Sequence, residues 1–125
     1  MQQRHASLQD VELVSISNMG DLNFDDPQYR KSFFMNSLFV SANTRAVVNS
    51  ERGDYVPVFL SQIPQLFKEK ILPLQVALIQ VSEPDAHGYC SLGCSVDIAR
   101  AAVDTAKHII AMVNPQMPRT HGDGF

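Results

Sequence analysis

The sequence predicts an α/β fold in which a mainly parallel sheet carries helices on both faces. From about residue 36 onward, strand-like runs alternate with helix-like segments at the spacing of βαβ units. Two runs, residues 75–81 and 108–113, are almost wholly apolar, which is typical of parallel strands buried on both faces. The chain has 125 residues and is 45% hydrophobic, which suits one core. We therefore expect a single domain with right-handed crossovers.

Five segments have the composition of strands, because β-branched and aromatic residues are enriched in them. The third carries Pro57, which has no amide to donate and therefore favours an edge position or a strand end. The strands are predicted at residues 11–17, 33–40, 55–60, 75–81 and 108–113.

Three helices are predicted between these strands. Ile63, Leu66 and Phe67 fall on one face of the second helix, which makes it amphipathic. Gly53 suits the left-handed residue that ends the first helix. The helices are predicted over residues 43–52, 62–70 and 95–106, with N-caps at Asn43, Ser61 and Ser95.

Composition narrows the classes of partner. Ten basic residues against 13 acidic ones give a formal charge of -3, which argues against a nucleic-acid or anionic-membrane binder. No run reaches the roughly 18 to 20 apolar residues of a spanning helix, and the amino terminus lacks a secretory signal. We expect a cytoplasmic protein that binds small molecules or proteins.

The two cysteines, Cys90 and Cys94, lie close to His87. Their spacing fits neither the paired ligand clusters of zinc sites nor a Cys-x-x-Cys redox turn. We therefore expect two buried or partly buried structural thiols in a reducing compartment, and no metal site.

The segments of residues 82–93 and 114–125 follow two apolar strands, where open α/β sheets bind their ligands. In the first, Gly88 and Gly93 permit backbone conformations that a side chain disfavours. Ser91 leads the chain toward a helix amino terminus, whose amides would suit a carboxylate, phosphate or thioester oxygen. The glycine spacing is neither a P-loop nor a dinucleotide fingerprint, so a purely structural turn stays an equal alternative.

The second segment has its own candidate groups. Arg119 offers a guanidinium fork for a carboxylate or phosphate, and His121 with Asp123 would make an imidazole–carboxylate pair. An ordinary solvated loop is the alternative. No Ser/His/Asp triad can be assembled from chain order alone.

Three separated motifs in this order resemble the amino-terminal domain of the acetyl-CoA hydrolase/transferase family, and within it the 4-hydroxybutyrate CoA-transferase branch. The resemblance runs from about Leu8 to the last residue. The motifs are DYVPVFLS at residues 54–61, PDAHGYCSLG at 84–93 and NPQMPRTHGD at 114–123.

The resemblance implies an enzyme of two similar α/β domains that exchanges CoA between an acyl-CoA, such as acetyl-CoA, and a short-chain acid such as 4-hydroxybutyrate or acetate. A glutamate of the second domain would carry the CoA as a thioester. Residues 1–125 would be an incomplete amino-terminal domain that lacks the catalytic carboxyl-terminal domain and is inactive alone. Acyl-CoA would be a substrate and not a bound cofactor, and the full-length enzyme would be a homo-oligomer.

The resemblance places a substrate-binding role on both loops and no catalytic residue in this chain. Arg119 is the candidate for engaging the acceptor carboxylate, and Asn43 with Arg45 forms a weaker third patch. The substrate-binding residues implied are His87, Gly88, Tyr89, Ser91, Gly93, Asn114, Met117, Arg119, His121, Asp123, Asn43 and Arg45.

Two other functions stay open on the sequence. An acetyl-CoA hydrolase would differ only in using water to resolve the acyl-enzyme, and these residues do not decide that. A small non-enzymatic α/β binding module would suit the chain length.

Overall fold

The computed structural model describes residues 2–18, 20 and 23–121. The chain forms two compact units, Met1–Val58 and Phe59–Phe125. Each unit contains parallel strands and helical segments, which confirms the predicted α/β class. The strands are divided between a three-stranded and a two-stranded sheet instead of forming the one sheet expected.

The first unit is built on three parallel strands in sequential order, β1-β2-β3. Leu13 pairs with Met35, and Met35 pairs with Gly53 on its other side. Aromatic rings pack beside this sheet, with the Phe24 and Phe33 centroids 5.3 Å apart. The elements are a 3-10 helix at Gln2–Ser7, β1 at Val11–Ser15, a 3-10 helix at Pro27–Tyr29, β2 at Phe33–Ser37, α1 at Arg45–Val48 and β3 at Gly53–Tyr55.

The second unit is built on two parallel strands with helices before and between them. Val76 pairs with His108 at one end and Val81 with Val113 at the other, so both strands finish at the same level. The two loops that follow therefore start side by side. The elements are a 3-10 helix at Leu60–Gln62, α2 at Ile63–Lys68, β4 at Val76–Val81, α3 at Ala99–Thr105 and β5 at His108–Val113.

Apolar side chains of this second sheet are exposed in the described part of the chain. Ala77 and Val81 are buried, whereas Leu78 and its partner Ile110 are each 58% exposed. All six residues of β5 are exposed. The expectation that residues 108–113 are buried on both faces is therefore wrong for this chain, and an apolar strand stands open to solvent.

The strand predicted at residues 55–60 is shorter and begins earlier. β3 ends at Tyr55, and a 3-10 helix begins at Leu60. The Val56 amide still donates to the Ser37 carbonyl of β2 at 3.0 Å, and Pro57 has no amide with which to extend the ladder. Gly53 opens this strand and is not the left-handed end of a helix.

The three predicted N-caps are wrong. Asn43 uses its side-chain amide to donate to the carbonyls of Asn18, at 2.9 Å, and Gly20, at 2.7 Å, and the residue before α1 is Thr44. The helices predicted from Ser61 and Ser95 begin later, at Ile63 and Ala99. No side-chain cap bond forms at any of the three starts, where Thr44, Gln62 and Ile98 occupy the cap position.

Candidate functional site

The site is built on the two loops that leave β4 and β5, residues 82–93 and 114–121. Their bases are joined, because the Asn114 amide donates to the Val81 carbonyl at 2.9 Å. The first loop is also closed on itself: Ser82 N donates to Ser91 O at 2.9 Å, and Ser91 N donates to Ser82 Oγ at 3.0 Å. Both serines are buried, so the two ends of this loop are held together at Ser82 and Ser91.

Ser91 also fastens the second loop to the first. Its Oγ accepts the amides of Gly93, at 3.0 Å, and Thr120, at 3.2 Å. The Ser91 and Thr120 hydroxyls share a further hydrogen bond of 2.9 Å. One buried hydroxyl therefore connects two loops that are 29 residues apart in sequence.

Gly93 lets the two loops approach closely. Its φ is +61°, in the left-handed region that favours glycine, and a Cβ there would lie 2.9 Å from the Pro118 carbonyl oxygen and 2.6 Å from Met117 Cγ. Met117 is 8% exposed, and its sulfur lies 3.8 Å from Cys94 Sγ. This contact is packing, and it leaves no room for a side chain at residue 93.

Asp85 shapes the outer turn of the first loop. Its Oδ1 accepts the amides of His87 and Tyr89, both at 2.9 Å, and its carbonyl accepts the amide of Gly88 at 2.9 Å. Gly88 has a φ of +86° with open space where a Cβ would be, so it is needed for its backbone conformation. The hydrogen bond from the Tyr89 amide is the largest cause that lowers the pKa of Asp85 below its ordinary value. Desolvation comes next and opposes it, and the His87 amide and the Arg119 charge add to the lowering.

Arg119 reaches from the second loop across the base of this turn. Its Nη2 donates to the carbonyls of Glu83 and Tyr89, both at 2.8 Å, and its Nη1 lies 3.7 Å from Asp85 Oδ2. The guanidinium therefore binds the protein's own backbone in this structure. Its predicted contact with an acceptor carboxylate stays a prediction, and any such contact would use the N–H groups that remain.

Most of the predicted residues lie in these two loops, where they form two groups. One group makes contacts within or between the loops, and the other is exposed to solvent. Ser91, Gly93, Met117 and Arg119 hold one loop to the other, and Asn114 holds its own turn by accepting the Gln116 amide at 2.9 Å. The predicted residues with exposed side chains or backbone are His87, Gly88, Tyr89 and His121.

The remaining predicted residues belong to the first unit or lie outside the described residues. Asn43 and Arg45 belong to the first unit, where Asn43 holds the segment around Asn18 and Arg45 is exposed at the start of α1. Asp123 lies outside the described residues, and so does its predicted pairing with His121.

The helix expected to begin at Ser95 begins later, and the anion site expected at its start stays a prediction. α3 begins only at Ala99, and two of the amides between Ser91 and this helix have partners inside the loop. Gly93 N donates to Ser91 Oγ, and Ser95 N donates to Leu92 O at 3.2 Å. These two amides are therefore not free to bind a carboxylate or phosphate.

Sequence reasoning missed Ser82, Asp85 and Thr120 as members of the site. An Asp two and four residues before the amides it accepts, with Gly88 between them, is the pattern of an Asx-type turn, so Asp85 could have been found. Ser82 and Thr120 carry no such local signal, because their partners lie nine and 29 residues away.

The expectation that Cys90 and Cys94 are buried or partly buried is wrong, because both thiols are free and exposed. In the described part of the chain, no group of three or more His, Cys, Asp or Glu side chains lies together. Among the same residues, no helix has the length and apolar character needed to cross a membrane.

An open cleft of about 200 Å³ lies in the first unit, and no predicted site residue is among those that line it. The two arginines that line it are engaged: Arg30 pairs with Glu51 at 3.4 Å, and Arg52 donates to the carbonyls of Phe24, Asp25 and Asp26. Lys31 also lines this cleft.

The sequence of this α/β chain matches a described class of CoA enzymes. A sequence model of the acetyl-CoA hydrolase/transferase N-terminal domain matches residues 1–125. The chain belongs to this family, which confirms the resemblance drawn from its three motifs.

Individual relatives agree. The chain is 50% identical over 115 residues to the 4-hydroxybutyrate coenzyme A transferase of Clostridium kluyveri, covering 92% of the chain and 27% of the relative. It is 47% identical over 117 residues to the succinyl-CoA:acetate/propanoyl-CoA:succinate CoA transferase of Fasciola hepatica, covering 94% and 24%. The chain thus spans about a quarter of the length of the curated relatives it matches.

Solved structures show the same fold. RipA from Yersinia pestis matches with a TM-score of 0.82 and 25% identity, over 96% of the chain and 30% of RipA. A 4-hydroxybutyrate CoA-transferase from Porphyromonas gingivalis matches with a TM-score of 0.64 and 27% identity, over 93% of the chain and 32% of that protein.

Proposed function

We propose that this chain supplies one wall of the substrate pocket in an enzyme that transfers CoA from an acyl-CoA to a short-chain carboxylic acid. The single observation that carries the proposal is the 50% identity to the Clostridium kluyveri transferase across almost the whole chain. The joined loops of the second unit support it, because they place exposed His87 and Tyr89 on a fixed turn at the strand ends.

In the proposed reaction, a glutamate carboxylate outside this chain attacks the thioester carbonyl and expels CoA thiolate, which leaves an acyl–glutamyl anhydride. The thiolate attacks the glutamyl carbonyl, releases the first acid and forms a glutamyl-CoA thioester. The acceptor carboxylate then attacks that thioester and expels CoA thiolate, which leaves a second anhydride. The thiolate attacks the acceptor's acyl carbonyl, which gives the new acyl-CoA and frees the glutamate. Acetyl-CoA and 4-hydroxybutyrate would give acetate and 4-hydroxybutyryl-CoA, which places the enzyme in acetate and acetyl-CoA metabolism.

The chain's own part in this reaction is to bind and orient. Its exposed turn would face the acyl-CoA and the acid, and the buried contacts behind the turn would keep it in place. We propose no permanently bound cofactor, no nucleic-acid or membrane partner, a cytoplasmic location, and a homo-oligomer in which the carboxyl-terminal catalytic domain completes the pocket.

Hydrolysis of acetyl-CoA is the second candidate, because the matching family description names hydrolases together with transferases. The two differ in whether water or a carboxylate resolves the glutamyl-CoA thioester. Named relatives of the chain are CoA transferases, which favours transfer.

The test uses the polypeptide that carries this sequence at the length of its curated relatives. It is incubated with acetyl-CoA and 4-hydroxybutyrate, and acyl-CoA species are quantified by chromatography and mass spectrometry. Transfer gives 4-hydroxybutyryl-CoA equal to the acetate formed. Free CoA equal to the acetate formed would establish the hydrolase instead, and no turnover of any short-chain acyl-CoA would favour the binding module.

A further inference from the structure

The outer part of the first loop has no hydrophobic packing of its own. Residues 83–90 are exposed without exception, and Tyr89 at the end of the turn is 61% exposed. A segment without buried apolar contacts keeps one shape only through its polar contacts. The hydrogen bonds of this segment therefore determine the positions of its side chains.

Two side chains supply most of those contacts. Asp85 accepts the amides of His87 and Tyr89, and Arg119 donates to the carbonyls of Glu83 and Tyr89. The peptide groups of Tyr89 are thus held on both sides, since the carbonyl also accepts the Asp85 amide at 2.9 Å. The Tyr89 backbone is fixed while its ring stays open to solvent.

We propose that Asp85 and Arg119 are positioning residues for CoA transfer, which fix the 85–89 turn so that the Tyr89 ring and the His87 imidazole meet the carboxylic acid substrate. This inference rests on the proposed function. A phenol and an imidazole can donate hydrogen bonds to a carboxylate, and the ring offers an apolar surface to a short acyl chain. Because Arg119 belongs to the second loop, it also makes the turn depend on both loops at once.

The alternative is that Asp85 and Arg119 only stabilise the fold, and a local measurement separates the two. We would prepare Asp85→Asn and Arg119→Gln in residues 1–125 and measure amide exchange by NMR. We expect the His87 and Tyr89 amides to exchange at least tenfold faster, with the melting temperature within about 3 °C of the unsubstituted chain. Arg30→Gln is the matched control, because it removes an exposed ion pair with Glu51 in the other unit.

The conservative variant adds a second readout. Arg119→Lys keeps the charge but loses the planar guanidinium, whose Nη2 donates to two carbonyls while its Nη1 lies beside Asp85. We therefore expect exchange rates close to those of Arg119→Gln. Unchanged exchange at residues 87 and 89 in Asp85→Asn and Arg119→Gln would overturn the positioning role. A collapse of the whole melting curve would also overturn it, in favour of a purely structural role.

Activity is measured in the polypeptide of full family length, with acetyl-CoA and 4-hydroxybutyrate. We expect Asp85→Asn and Arg119→Gln to lower kcat/KM for the acid by about 10- to 100-fold, the range that misplacement of a binding group by about 1 Å produces. Arg30→Gln should stay within twofold. An active unsubstituted enzyme with unaffected variants would overturn this inference alone, whereas an inactive unsubstituted enzyme would overturn the proposed function and with it the catalytic part of the inference.

Discussion

Replacement of Ser91 by alanine tests the connection between the two loops. The change adds no atoms, but it removes the oxygen that accepts the Gly93 and Thr120 amides at 3.0 and 3.2 Å and the hydroxyl that contacts Thr120 Oγ1 at 2.9 Å. Ser91 is buried, so water does not readily replace it. At about 1 kcal/mol or somewhat more for each amide left without an acceptor, we expect a loss of about 2 to 3 kcal/mol in the free energy of unfolding.

The loss is measured as a shift in melting temperature by calorimetry or circular dichroism. With an unfolding entropy of about 2.1 cal/mol/K per residue, a chain of this size loses about 4 °C for each kcal/mol, so Ser91→Ala should melt about 8 to 12 °C lower. Ser95→Ala makes the same change at an exposed serine four positions away and should shift the curve by less than about 2 °C. Equal melting temperatures for the two variants would refute the role assigned to Ser91.

Three further predictions concern the turn and the open sheet. Gly88→Ala should lower the free energy of unfolding in urea by about 1 kcal/mol, because Gly88 has a φ of +86° with open space where a Cβ would be. Gly88→Asn should lower it by less, since asparagine tolerates this backbone conformation better. An alanine variant as stable as the glycine chain would contradict this. Because the folded pKa of Asp85 lies below its ordinary value of 3.8, the hold on the Tyr89 amide should be complete above about pH 4 and disappear as the pH falls through the folded pKa. The amide chemical shift of Tyr89 reports this titration, and the same titration surviving in Asp85→Asn would exclude it. Residues 1–125 should self-associate, which light scattering measures, and Ile110→Lys on the open sheet face should reduce the association. Ile71→Lys, which also replaces an exposed isoleucine, should leave it unchanged. A monodisperse monomer at high concentration would count against the open face.

The elements that could be predicted from the sequence are those with strong local patterns. The runs around β4 and β5 are predicted almost to the residue, because continuous apolar stretches of that length between turn residues have few alternatives. The helix caps could not be predicted. Asn43, for example, donates its side-chain amide to carbonyls 23 and 25 residues away and does not cap the helix. Short-range rules do not report such distant partners.

The site shows the same division. The two loops were identified from glycines, prolines and polar residues after apolar strands. The roles of individual residues within the loops could not be predicted. Arg119 is expected from the sequence to be free to bind an anion, but in the structure it donates to the Glu83 and Tyr89 carbonyls. Contacts between loops depend on the register of β4 and β5, which no single segment of the sequence specifies.

The claim that matters most is that the two joined loops form a wall of the acyl-CoA pocket. It is tested most directly by irradiating the polypeptide of full family length with an acyl-CoA that carries a photoreactive acyl group, then mapping the labelled peptides by mass spectrometry. The account predicts label on residues 82–93 and 114–121, reduced by excess 4-hydroxybutyrate. Label confined to other parts of the polypeptide would contradict it.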